Sequence, residues 1–159
     1  MAEKALISSA QRILVPLDGS PLAELALAEA RALSQLPNTE VTLLQVVPTI
    51  EEVIPIGPQE ISLDEQWDLQ RQQALRYLRS ICGRHEWHGV PVNVAVEMGS
   101  PAETILAFAE EHSVDRIVMS THGRTGLGRW VFGSVADKVL RTANTTVVLV
   151  RPPSGASAA

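Results

Sequence analysis

The chain has 159 residues, is 45% hydrophobic and carries a net charge of −5, which fits one domain with a core of ordinary size. This charge argues against general affinity for DNA, RNA or anionic lipid, because those partners favour a basic surface. No stretch approaches the ~20 apolar residues that cross a bilayer, no secretory signal pattern is visible, and the single cysteine, Cys82, excludes an internal disulfide. We therefore expect a soluble, reduced, cytoplasmic domain.

The first half of the chain alternates between strand-like and helix-like patterns. Short apolar runs bounded by turn residues predict buried strands, and a serine followed by proline predicts the start of a helix. The predicted elements are a strand over Arg12–Leu17, a helix with Ser20 as N-cap and Pro21 as its first residue, and a strand over Val41–Val47. From Pro48 to Ile61, three prolines and a glycine block regular structure.

The second half continues the same alternation. The capping box Ser62–Glu65 predicts the start of a helix, one face of which carries Trp67, Ala74, Leu75, Leu78, Ile81 and Cys82. The next predicted elements are a strand over Pro91–Val96, a helix after Gly99-Ser100-Pro101 and a strand over Arg116–Ser120. A helix from Gly133-Ser134 and a strand over Thr145–Val150 complete the alternation. Residues 152–159 read as a loose tail and residues 1–11 as an extension.

Five strands alternating with four helices predict the fold class. Parallel strands joined by right-handed helical crossovers give a three-layer α/β sandwich around a five-stranded parallel sheet. Ligands in such folds bind beyond the carboxyl ends of the strands, at the point where the strand order switches. We therefore look for a site after Leu17, after Val46, around Met98, and from Ser120 onward.

The loop after the fourth predicted strand is the strongest functional signal. Residues 121–132 are about twice as long as the usual strand-to-helix loop and contain three glycines and two arginines, Arg124 and Arg129. Six basic residues and one acid follow Asp115, against seven bases and seventeen acids in residues 1–115. Glycines and a helix start can bind a phosphate, so we interpret this segment as a phosphate-binding loop; a plain turn with a locally uneven charge remains the alternative.

Known phosphate-binding patterns do not describe this loop. Gly123 and Gly128 have the spacing of a P-loop, but Arg129 stands where the P-loop has lysine. The third glycine of a dinucleotide-binding fingerprint is also missing at the required distance. At the end of the loop, Ser134 can equally act as a simple N-cap.

The chain resembles the universal stress protein family. That family's nucleotide motif is Gly-x2-Gly, nine residues, and then Gly-Ser or Gly-Thr. This chain reads Ser120-Thr-His-Gly123, nine residues, and then Gly133-Ser134. The opening strand, which runs into Asp18-Gly-Ser, is also similar, and the resemblance covers Arg12 to Val150. It implies a Rossmann-like domain of the adenine nucleotide alpha hydrolase-like type over residues 12–151.

The resemblance implies a site for ATP, with Mg²⁺ on the phosphates. One departure is Ser120, which replaces the first motif glycine; the later motif residues are kept, which places the chain with the ATP-binding members. The implied ligand residues are Pro16, Leu17 and Asp18 on the adenine and ribose side, Val46 at adenine through its backbone, Met119 and Ser120 beside the ribose, and His122, Gly123, Arg124, Gly133, Ser134 and Val135 around the phosphates. Asp18 can alternatively serve only the Asp-Gly turn, and Arg129 can be a solvated side chain.

Family members are typically homodimers joined through the last strand. Here that strand is apolar on both faces, through Val147, Val148, Leu149 and Val150, and as a bare edge it would be an aggregation hazard. Pairing with a second copy would cover it; the alternative is an ordinary core strand.

Two other sequence patterns give weaker functional signals. His85-Glu-Trp-His88 differs from the zinc signature, so we interpret it as the polar end of the long helix, and we expect Cys82 to be a small buried hydrophobic residue. We therefore expect a nucleotide-dependent stress-response homodimer with an unknown protein partner, without nucleic acid or membrane. The alternatives are a slow ATP hydrolase or phosphoryl-transfer enzyme and an interaction module that binds no nucleotide.

Overall fold

A computed structural model of the chain describes residues 10–49, 63–121 and 133–153. The strands are β1 (Gln11–Pro16), β2 (Thr39–Val47), β3 (Val92–Met98), β4 (Arg116–Ser120) and β5 (Thr146–Val150). The helices are α1 (Pro21–Glu24), α2 (Ala26–Leu33), α3 (Leu63–Arg84), α4 (Pro101–Glu111) and α5 (Ser134–Thr142). Four segments lie outside the described residues. They are residues 1–9 of the N-terminal extension, residues 50–62 after β2, residues 122–132 of the glycine-rich loop and residues 154–159 of the tail.

The sheet confirms the predicted fold class. All neighbouring strands pair in parallel, in the order β3-β2-β1-β4-β5. The first predicted helix is divided into α1 and α2 at Leu25, whose backbone nevertheless stays helical with φ −61° and ψ −25°. The predicted bounds of β4 match the structure, whereas β2 begins two residues earlier than expected and β3 continues to Met98.

Both faces of the sheet are covered, which produces two apolar clusters. Residues of α2 and α3 pack on one face with Ile13, Val15, Leu17, Val41, Leu43 and Val118. Residues of α4 and α5 pack on the other face with Leu14, Leu44, Ile117 and Met119. Since strand side chains alternate between the two faces, the continuous apolar runs of β1 and β4 supply both clusters. Burial on both faces leaves the strand ends as the natural place for a ligand.

Two expectations about the end of α3 are wrong. The segment that follows Arg84 is not simply polar, because Trp87 is 8% exposed and belongs to the cluster beneath α2 and α3. Cys82 is half-buried rather than buried, although it packs against the same cluster and burial raises the pKa of its thiol. Because α3 ends at Arg84, Trp87 lies after the helix. Helical spacing therefore does not predict the direction of its ring, which reaches the core.

Gly99 joins β3 to α4 in a conformation that suits glycine. Its φ is +150°, its N–H donates to the Val47 carbonyl at 3.0 Å, and a Cβ placed there would lie 2.5 Å from Thr104 Oγ1. We expect Gly99→Ala to lower the free energy of unfolding by about 1–3 kcal/mol, because it adds both backbone strain and this contact. Chemical denaturation measures the change.

The double variant Gly99→Ala/Thr104→Ala should recover part of the loss, because it removes the contact and keeps the backbone strain. Gly83→Ala is the matched control: this helical glycine has open space around its Cβ position, so alanine should be neutral or stabilising there. Equal stability of Gly99→Ala and the parent chain would contradict this account.

Candidate functional site

A crevice begins where β1 ends. The pairing of β1 with β2 runs from Gln11↔Thr39 to Pro16↔Leu44, whereas its register with β4 covers Ile13↔Arg116 and Leu14↔Ile117. The strand order reverses at β1, because β2 and β3 lie on one side of it and β4 and β5 on the other. This is the switch point at which open parallel sheets bind ligands.

Pro16 explains why the pairing with β4 stops early. The N–H of the next residue, Leu17, donates to the Leu44 carbonyl of β2 at 2.8 Å. Because backbone groups alternate along a strand, the nitrogen of Pro16 faces β4, and proline has no N–H to donate. Pro16 and Leu17 are both buried, so they form the floor of the crevice.

Val46 flanks the crevice from the β2 side. The Leu44 carbonyl faces β1 and the Val47 carbonyl faces β3, where it accepts the Gly99 N–H, so by alternation the Val46 N–H and C=O face β1. At that level β1 has ended, and no hydrogen bond joins Val46 to Leu17 or Asp18 in the described chain. Val46 thus presents one donor and one acceptor side by side above the floor.

Asp18 serves the turn that follows β1. Its Oδ1 accepts the Ser20 N–H at 2.9 Å, and the Ser20 Oγ in turn accepts the Ala23 N–H at 3.1 Å as the N-cap of α1. The turn role considered for Asp18 and the predicted cap are therefore confirmed. Asp18 is also exposed, so its second carboxylate oxygen can accept a hydrogen bond from a ligand.

The end of β4 flanks the crevice from the other side. Met119 is 7% exposed and packs beneath α4 and α5, whereas Ser120 is half-buried. Thr121, the first residue of the long loop, is 3% exposed, and its N–H and Oγ1 both reach the Val150 carbonyl, at 2.9 and 3.4 Å. Sequence reasoning missed this anchor; its signal was a β-branched polar residue directly after a buried strand.

The N-terminus of α5 follows the loop. Gly133 is the N-cap, with φ −58° and ψ 151°, and its carbonyl accepts the Asp137 N–H at 2.9 Å. Ser134 is the first helical residue, so the simple N-cap role considered for it is wrong. Within the described residues no side-chain hydrogen bond caps this helix, so its first N–H groups and the positive end of its dipole can face an anion. Val135 lies half-buried in the same turn.

The structure brings the described site residues to one edge of the sheet. Nine predicted site residues lie at the carboxyl ends of strands or at the helix start that follows: Pro16, Leu17, Asp18, Val46, Met119, Ser120, Gly133, Ser134 and Val135. Three further predicted residues, His122, Gly123 and Arg124, lie outside the described residues. The basic residues that follow Asp115 do not all lie at this end of the sheet, because Arg116 begins β4 at the opposite end.

Two bases of α5 already have acidic partners. Lys138 pairs with Glu103 at 2.7 Å and Arg141 with Asp137 at 2.9 Å. Exposed pairs of this kind contribute about 0–1 kcal/mol, and each reduces the charge left for an anion. The helix start itself is therefore the better supported anion contact of the described site.

A polar group on α3 lies close to the site. The Tyr77 hydroxyl donates to Glu24 Oε1 at 3.2 Å, and Arg84 is 3.5 Å from the same oxygen. Burial and the negative charge of Glu24 raise the pKa of Tyr77, and the charge of Asp18 adds to this effect. The sequence pattern did not indicate this contact, because Tyr77 and Glu24 are 53 residues apart.

Two surface grooves elsewhere contain none of the predicted site residues. One, of about 580 Å³, lies beside α4 and is lined by Arg12, Glu40 and His112 among others. The second, of about 600 Å³, lies near the start of β2. In the first groove Arg12 and Glu40 form an ion pair at 2.9 Å. Neither groove combines open backbone groups with a helix start, as the crevice does.

The five-stranded parallel sheet covered on both faces is a Rossmann-like α/β fold of the adenine nucleotide alpha hydrolase-like type, as in similar solved structures. The model of the universal stress protein family matches residues 9–151. The chain therefore belongs to the universal stress protein family, as the motif resemblance predicted.

Relatives from one archaeon are similar to the chain over most of its length. Universal stress protein MJ0531 of Methanocaldococcus jannaschii is 33% identical over 145 residues, which cover 90% of this chain and 83% of the relative. MJ0577 of the same organism is 30% identical over 153 residues, which cover 89% and 94%. A solved structure of MJ0577 gives a TM-score of 0.71 at 31% identity and covers 89% of this chain and 96% of that chain.

More distant solved structures share the fold. UspA from Lactobacillus plantarum gives a TM-score of 0.68 at 25% identity, with 91% of this chain and 99% of that chain covered. A universal stress protein in complex with cAMP gives 0.58 at 18% identity, covering 91% and 98%. One from Archaeoglobus fulgidus in complex with dAMP gives 0.56 at 21% identity, covering 87% and 96%. The last two likenesses show the fold alone.

Two classes of feature are missing from the part of the chain that the structure describes. None of its helices is long and apolar enough to cross a membrane. Its His, Cys, Asp and Glu side chains form no group of three that could hold a metal ion.

The single tyrosine offers a direct test of the contact between α3 and α1. Because Tyr77 is the only tyrosine in the sequence, phenolate absorbance reports its ionisation alone. With its pKa raised, we expect ionisation at higher pH than the ~10 of free tyrosine. The stability that the neutral phenol contributes should be complete below pH ~10 and lost as the pH rises further.

Glu24→Gln should move this titration to lower pH, because it removes the carboxylate charge. Glu29→Gln, on the exposed side of α2, is the matched control and should leave it unchanged. Ionisation of Tyr77 at the free-tyrosine value would contradict a buried, hydrogen-bonded phenol.

Proposed function

We propose that this protein binds an adenine nucleotide, ATP in particular, in the crevice above β1. The observation that carries the proposal is the open backbone of Val46. Its N–H and C=O face the same side, beyond the end of β1, with no partner there in the described chain. Adenine presents an exocyclic amino donor beside a ring nitrogen acceptor, so one residue's backbone can bind it with two hydrogen bonds.

The width of the crevice and the sequence of contacts along it suit a nucleotide. Adjacent strands are about 4.8 Å apart, so β2 and β4 are separated by about 10 Å over the end of β1. A base at Val46 leaves the sugar over Leu17 and Asp18 and directs the phosphates toward Gly133 and Ser134. There the uncapped N–H groups of α5 stabilise negative charge.

The family relatives support the same ligand class. Two solved universal stress proteins are complexes with cAMP and dAMP, both adenine nucleotides. The kept motif residues Gly123, Gly133 and Ser134 favour a triphosphate. Mg²⁺ would accompany ATP through its phosphate oxygens, which needs no metal-binding cluster on the protein.

We further propose that ATP acts as a signal rather than as a substrate. The protein would work in the cytoplasm as a stress-response homodimer whose contacts with a protein partner depend on the bound nucleotide. Such a role requires binding and no chemical step. It fits a site built from backbone groups, one exposed carboxylate and a helix start.

The free edge at β5 supports the homodimer. Val147, Val148, Leu149 and Val150 are each half-buried; Val148 and Val150 pack toward one apolar cluster, Val147 and Leu149 toward the other. The strand pairs with β4 on one side and has no partner on the other within the described residues. An apolar edge of this kind favours pairing with a second copy of the chain. The strand at the opposite edge, β3, carries exposed polar residues such as Asn93 and Glu97 among its apolar ones.

Calorimetric titration tests the nucleotide proposal. We expect affinity to decrease in the order ATP, ADP, AMP, because the phosphates contact the start of α5. Gly133→Ala should weaken ATP binding about tenfold or more, since a Cβ at the N-cap obstructs the approach of a phosphate to the backbone. Its effect on AMP should be smaller.

Gly83→Ala is the matched control, because it adds the same methyl group on α3, in open space and outside the predicted site residues. Its nucleotide affinities should equal those of the parent protein. Absence of binding at millimolar ATP would refute the proposed function.

Sedimentation equilibrium tests the dimer. Val148→Lys places a charge in the β5 edge and should convert the dimer to a monomer, because pairing would bury an unpaired ammonium group. Asn93→Lys adds the same charge to the exposed β3 edge and should leave the dimer intact. Thermal unfolding checks that both variants remain folded. A Val148→Lys dimer as stable as the parent's would exclude the β5 interface.

A further inference from the structure

Ser120 is the one departure from the family motif among the described site residues, and its side chain has a defined direction. Ile117 and Met119 of β4 pack beneath α4 and α5, whereas Val118 packs on the opposite face with Leu17. Because side chains alternate along a strand, Ser120 points to the Val118 side. Its hydroxyl therefore lies on the same face as Leu17, at the edge where the Asp18 turn begins.

The backbone of Ser120 is held in place by pairing with β5. Ser120 is in register with Val150 of β5, and the next residue, Thr121, donates its N–H to the Val150 carbonyl at 2.9 Å. The residue is half-buried, and within the described chain its hydroxyl has no hydrogen-bond partner. A side-chain donor on a well-ordered strand end, with no protein partner in the described chain, is suited to binding a ligand hydroxyl.

In a nucleotide the sugar lies between the base and the phosphates, which places it beside this hydroxyl. With the base at Val46 on the β2 side and the phosphates at Gly133 after β4, the sugar must cross the floor between them. The polar side chains at that point are Asp18, from the end of β1, and Ser120, from the end of β4. Asp18 already uses one oxygen for Ser20. Ser120 has no hydrogen-bond partner within the described residues, so its hydroxyl can both donate and accept there.

We propose that the Ser120 hydroxyl hydrogen-bonds a hydroxyl group of the sugar and makes this site selective for ribonucleotides over deoxyribonucleotides. The inference rests on the proposed nucleotide function and deepens it. A glycine at this position has no side chain and cannot make the contact, so the selectivity would belong to chains that carry serine here. One neutral hydrogen bond makes a difference of about two- to tenfold in affinity.

The test compares ATP, 2′-deoxy-ATP and 3′-deoxy-ATP by calorimetry on four proteins. The parent protein should bind ATP about two- to tenfold more tightly than at least one deoxy analogue. Ser120→Ala and Ser120→Gly should lose that difference by weakening ATP binding, while the affinity for the same deoxy analogue stays unchanged. Ser80→Ala, which removes an exposed hydroxyl of α3, should retain the parent's preference.

Each result has a separate meaning. Equal ratios of ATP to deoxy-ATP affinity in the parent and Ser120→Ala proteins would overturn the selectivity role while leaving the nucleotide site in place. No binding of any of the three nucleotides by the parent protein would overturn the proposed function and this inference together. Loss of affinity for all three nucleotides in Ser120→Ala, with an unchanged ratio, would make Ser120 a packing residue and contradict the proposal.

Discussion

The interruption of backbone pairing at Pro16 is the constraint on which the site depends. A parallel sheet with both faces covered has no room for a ligand between its strands, because hydrogen bonds and side chains fill that space. Pro16 cannot donate toward β4, and Leu17 makes the last contact with β2. The gap that follows exposes the backbone of Val46 on one side and the end of β4 on the other.

The helix starts at this edge are not equivalent, although each follows a strand. At α1, the Ser20 hydroxyl binds the Ala23 N–H and the Asp18 carboxylate binds the Ser20 N–H, so side chains of the turn satisfy the first donors. At α5, the N-cap is Gly133, which offers no side chain. The helix start at α4 also lacks a side-chain cap but follows β3, an edge strand that does not neighbour β1. Among the helix starts whose caps lie in the described residues, α5 is the one that combines uncapped donors with the switch point, which makes it the phosphate end of the proposed site.

Local signals in the sequence predicted much of this arrangement. The bounds of β4, the N-cap at Ser20 and the helix start at Gly133 follow from short patterns that involve few residues, and the structure confirms them. Trp87 and Cys82 were interpreted wrongly because burial at the end of a helix depends on where the next segment turns. The contact of Tyr77 with Glu24 joins distant parts of the chain, which periodicity cannot indicate.

The sequence by itself determined the alternation of strands and helices, the family motif and hence the class of fold, because apolar spacing, prolines and glycines act over a few residues. It also indicated an edge of the sheet for the ligand. The tertiary structure decided which strands flank β1, which backbone groups remain open beside it, and which face Ser120 takes. These features arise from register between strands that are far apart in the chain, and register is set by packing of the whole sheet rather than by any one segment.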